Sequence, residues 1–81
     1  SMKYHLLDKR LTYLKMMILV RQTEECDVML HMEKSDMLML VVEIVVGDMT
    51  ANDVDKVSCS TEVVKSRQVD LMFAHASILL H

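Results

Sequence analysis

The sequence contains no proline and no tryptophan, and its single glycine is Gly47. An all-β fold of 81 residues needs turn residues at each corner, and with so few available the chain is expected to be helical. Cysteine is also scarce. Cys26 and Cys59 can form at most one bridge, and only if their Cα atoms come within about 7 Å. That is well below the density of small secreted scaffolds, so a reducing, cytoplasmic location is expected.

Long apolar runs are missing as well. The longest, Met37 to Val46, is broken by Glu43 and falls far short of the roughly 20 residues that cross a bilayer, so no membrane span is expected. The N-terminus has no charged-then-apolar secretory pattern, and Ser1-Met2 reads as a cloning scar. Nine Lys and Arg against 12 Asp and Glu give a net charge of −3. The basic excess that a phosphate backbone demands is absent, so nucleic acid is not an expected partner. The cations are scattered apart from Lys9-Arg10, and no repeat, linker or block of like charge interrupts the chain.

What is present is apolar surface. Hydrophobic residues make up 52% of the chain and charged residues 26%, a balance that folds rather than stays disordered. The length allows one domain, residues 1–81, near the lower limit for folding alone. Tyr4, Leu7, Leu11, Leu14 and Ile18 recur at spacings of three and four, which predicts a helix over about 3–22. Thr23, followed by Glu24, Glu25 and Asp27, resembles a helix start. A second helix is expected over about 24–46 on the stripe Leu30, Met37, Val41 and Ile44, divisible near 35–36 and ended by Gly47 in a left-handed conformation. Thr50-Ala-Asn-Asp53 has capping-box character and predicts a short turn at 51–57. A last helix over 60–80, capped by Ser58 or Ser60, would place Val64, Leu71, Met72, Ile78 and Leu79 on one face with Gln68 and His75. The expected fold is therefore an all-α bundle of three to four helices. The competing α+β reading pairs residues 38–46 with 54–63 in a hairpin, because both stretches alternate and the first is rich in β-branched residues.

Each of the later helices carries a second apolar strip: Val28, Met32, Met39, Val42 and Val46 on one, and Val69, Phe73, Ala76 and Leu80 on the other. A lone bundle that buried only the main stripes would leave these strips in water, and large contiguous apolar patches on soluble monomers usually mark interaction surfaces. Val28, Met32, Met39, Val42, Val46, Val69, Phe73 and Leu80 are the expected interface, with a homodimer or a partner amphipathic helix as occupant. Nine methionines suit an adaptable surface, and equally suit a core that needs gap fillers. The even mixture of Met, Val, Leu, Asp and Lys would also suit a designed or laboratory-selected sequence.

Residues with reactive side chains form no strong motif. His31 and His75 are the candidate metal or haem ligands, His75 because it sits on the stripe of the last helix and His31 because Asp27 is four residues before it. No His-x-x-x-His, Cys-x-x-Cys or Glu-x-x-His occurs. Cys59, between Ser58 and Ser60, is a candidate activated thiol if it begins a helix. The acidic loop Asp48, Asn52, Asp53 and Asp55 fails the EF-hand register, which would put Ser58 where glycine belongs and Val64 where the bidentate glutamate belongs. A non-enzymatic interaction module without cofactor or catalytic residues is the expected function, and a histidine-ligated metal or haem bundle is its competitor.

Overall fold

The computed structural model describes residues 2–21, 32–60 and 66–81. They form four helices: α1 (Met2–Arg21), α2 (Lys34–Val46), α3 (Ala51–Ser60) and α4 (Ser66–Leu80). The protein is an all-α bundle, and no strand occurs among the described residues. The hairpin reading fails because residues 38–46 and 54–60 are helical. Met37, Val41, Ile44 and Val45 are the buried residues of α2, and they repeat with the helical rather than the alternating period.

α1 and α2 each pack against all three other helices, and the 20 residues of α1 span about 30 Å. Among the described residues α3 and α4 do not meet. The four helices thus stand in the order α1, α3, α2, α4 around the bundle, with α1 and α2 facing each other across it. Directions follow from side-chain contacts. Lys15 Nζ lies 2.5 Å from Asp70 Oδ1 and His81 Nε2 lies 2.8 Å from Asp8 Oδ1, so α4 runs antiparallel to α1. Arg10 reaches the corner before α3 and Arg21 pairs with Asp55 within it, so α3 runs parallel to α1.

The core is built from Leu11, Leu14 and Ile18 of α1, the four α2 residues, Val54 and Val57 of α3, and Val69, Phe73, Ala76 and Leu80 of α4. Of the stripe expected on the first helix, Leu7 packs partly against this core, and Tyr4 stacks on His81 with ring centroids 5.0 Å apart. Ser58 is buried in α3, but its hydroxyl donates to the Val54 carbonyl at 2.8 Å, which removes the cost of an unpartnered polar group.

The corner between α2 and α3 differs in detail from the sequence reading. α2 begins at Lys34 after an extended Glu33, so the chain is already non-helical before the Ser35-Asp36 pair. Gly47 is not left-handed, with φ −85 and ψ −147. The left-handed residue is Met49, φ 51, a conformation costing about 1–2 kcal/mol for an L residue. Packing of the Met49 side chain against the core, together with Arg10, holds it there: Arg10 Nε donates to Met49 Sδ at 3.3 Å and Nη2 donates to the Gly47 carbonyl. A cation at this end of α2 also meets the negative pole of the helix dipole. Gly47 is required for space, since a Cβ there would lie 2.9 Å from the Glu43 carbonyl oxygen. Thr50 then starts α3. Its Oγ1 accepts from the Asp53 amide at 3.2 Å and donates to Asp53 Oδ2 at 2.8 Å, a cap worth about 1 kcal/mol.

Candidate interaction surface

Of the eight residues expected at the interface, the seven that the structure describes separate into three groups. Val69, Phe73 and Leu80 are core residues of the single chain, the first fully buried, which corrects their assignment to an exposed strip. Met32 and Val42 are half-buried and pack against the core. Met39 and Val46 are exposed. Val28 lies outside the described residues.

On α4 the two faces are exchanged relative to the expectation. Leu71 is 63% and Ile78 73% exposed, although they belonged to the stripe expected inside. The cause is the polar residues beside them. Burying that stripe would bury Gln68 and His75, whereas the seam Val69, Phe73, Ala76, Leu80 is apolar throughout and leaves both polar side chains exposed. Ala76, fully buried, also lets the helices approach closely.

An exposed apolar stripe lies on α1. Leu6, Tyr13, Met16 and Val20 are all more than half exposed and recur, with Lys9, at spacings of three and four. At 3.6 residues per turn this outer seam points roughly 150° away from the buried one. No acidic residue interrupts it. Five of the nine cations, Lys3, Lys9, Arg10, Lys15 and Arg21, lie in α1 with one acid, Asp8, a concentration that counting charges over the whole chain conceals. α2 has the opposite character: its outward positions Asp36, Met39, Glu43 and Val46 are exposed and combine two acids with two apolar side chains. A groove of about 390 Å³ runs between α1 and α4, with Leu11 and Phe73 below and Asp8, Lys15 and Asp70 at the rim. Its charged groups are already engaged in the two α1–α4 pairs.

The reactive residues do not assemble into a site. His75 is exposed on the outer face of α4 instead of facing the bundle interior, and His31, with Asp27, lies outside the described residues. Among the described residues no group of three or more His, Cys, Asp and Glu side chains could hold a metal ion. Cys59 is disulfide-bonded and sits in the last turn of α3. It is therefore neither a free thiol nor at the positive end of a helix, and the activated-nucleophile reading is corrected on both counts. No described helix is long and apolar enough to cross a membrane.

By architecture, then, the described residues form a small four-helix bundle with oppositely charged apolar seams on two of its outer faces. No family model, curated protein or solved structure matches the chain.

Proposed function

We propose that the protein is a non-enzymatic interaction module that takes a second helix on its exposed seams, supplied by another copy of itself or by a partner. The observation that carries this reading is the outer seam of α1. Four large apolar side chains at heptad-like spacing stand in water on the face opposite the core, an arrangement that ordinary surface scatter does not produce. Among the described residues no observation favours the metal or haem reading.

Sedimentation equilibrium at micromolar concentrations, with and without an uncharged amphipathic peptide as long as α1, tests the proposal. The wild type is expected to gain mass, alone or with peptide. The double variant Tyr13→Ser with Met16→Ser should stay monomeric and bind no peptide, while its urea midpoint shifts little because both side chains are exposed. A wild type that is monomeric throughout and ignores the peptide would refute the reading, as would a double variant that associates equally well.

A further inference from the structure

We propose that the second helix is α2 of another copy, docked antiparallel on the outer seam of α1, so that copies join head to tail. The inference rests on the reading of these seams as interaction surfaces and names their occupant.

The match is one of spacing and charge. Along α1 the outward positions are Leu6, Lys9, Tyr13 and Met16, separated by three, four and three residues. Read backwards along α2, Val46, Glu43, Met39 and Asp36 are separated by the same three, four and three. Antiparallel helices that share this spacing meet in successive layers. Here Leu6 meets Val46, Lys9 meets Glu43, and Tyr13 meets Met39, while Asp36 falls opposite Met16 at the start of α2 with its carboxylate in water. All eight residues are exposed within one chain, and neither Lys9 nor Glu43 has an ion-pair partner among the described residues.

Pairing two α1 seams is disfavoured. It would bring two cationic helices together with no acid at the seam, and a parallel arrangement would set Lys9 against Lys9. An α1–α2 contact places the one charged seam residue of α1 against an acid and flanks it with apolar layers.

The position of the two seams in the bundle sets the form of the assembly. α1 and α2 stand across the bundle from one another, so their outer faces point in opposite directions. One contact cannot satisfy both seams of both copies, and the interface is heterologous and able to extend. Three apolar or charge-paired layers bury less than the roughly 800 Å² per partner of a standard interface, so association is expected to be weak and dependent on concentration.

Charge reversal tests the pairing in the full-length chain. Lys9→Glu and Glu43→Lys are each expected to weaken self-association roughly tenfold or more, since each sets like charges opposite one another. Mixing the two single variants creates one reversed pair and one native pair, so the mixture should associate as the wild type does, and so should the chain carrying both changes. Sedimentation velocity should show species larger than a dimer as concentration rises. Circular dichroism of each variant must match the wild type, as both sites are exposed; if one variant misfolds, Lys9→Ala with Glu43→Ala replaces the reversal and should associate at least severalfold more weakly. A wild type that associates while both reversals leave it unchanged overturns the α1–α2 pairing and keeps the interaction module. A closed dimer, or a chain that stays monomeric but binds the uncharged peptide, also overturns the pairing and not the module.

Discussion

Replacing Phe73 with alanine is expected to lower the unfolding free energy by about 3–5 kcal/mol, whereas Ile78→Ala should change it by no more than about 0.5 kcal/mol. Both residues are large, apolar and on α4, and their environments separate them. Phe73 is 4% exposed within the core and Ile78 73% exposed. Truncating Phe73 removes buried surface and leaves a cavity in the core, and a chain of 81 residues has only about 4–12 kcal/mol to lose. Truncating Ile78 removes surface that was already in water, and alanine is the better helix former. Urea unfolding followed at the helical circular-dichroism band measures both. Phe73→Leu, which retains most of the volume, keeps the comparison readable if the alanine variant is largely unfolded. A larger loss from Ile78→Ala than from Phe73→Ala would mean that α4 is turned the other way.

The second large effect is expected from reduction. Cys59, in the last turn of α3, is disulfide-bonded, so reduction removes a covalent constraint from the bundle. Removing a native disulfide from a small domain typically costs about 2–5 kcal/mol, a sizeable share of the total for so small a bundle. Urea midpoints in the presence and absence of reductant are therefore expected to differ strongly, and a thiol assay on the oxidised, denatured chain should find no free thiol. Two titratable thiols, or coincident unfolding curves, would show that the bond contributes nothing to the fold.

The helical class could be read from the sequence because its causes are local. The shortage of glycine and proline, the stripe Leu7, Leu11, Leu14 and Ile18 in α1, and the Thr50 cap each act over a few residues, and the structure contains all of them. Which face turned inward was harder to read, since every long helix has two apolar seams. A single criterion would have decided it: the seam without a polar member goes inside. In α1 Lys9 keeps its seam out, in α2 Asp36 and Glu43 do, and in α4 Gln68 and His75 do. Counting apolar residues by face ignores the much larger cost of burying one unpaired polar group. The clustering of cations in α1 was present in the sequence but disappears in a net charge of −3. The left-handed residue at the α2–α3 corner was not legible, because Met49 is held in that conformation by Arg10, 39 residues away, and no local preference signals it.

Methionine oxidation tests most directly whether the inward seams hold the fold and the outward seams hold a second copy. Met37 is 5% exposed in the core, whereas Met16 at 60% and Met39 at 51% lie on the two outer seams. Mass spectrometry after brief peroxide treatment can follow each site in dilute and in concentrated protein. The predicted result is slow oxidation of Met37 at both concentrations, with Met16 and Met39 oxidised fast when dilute and protected together when concentrated. Oxidation of Met37 as fast as Met16, or rates at Met16 and Met39 that do not change with concentration, would contradict it.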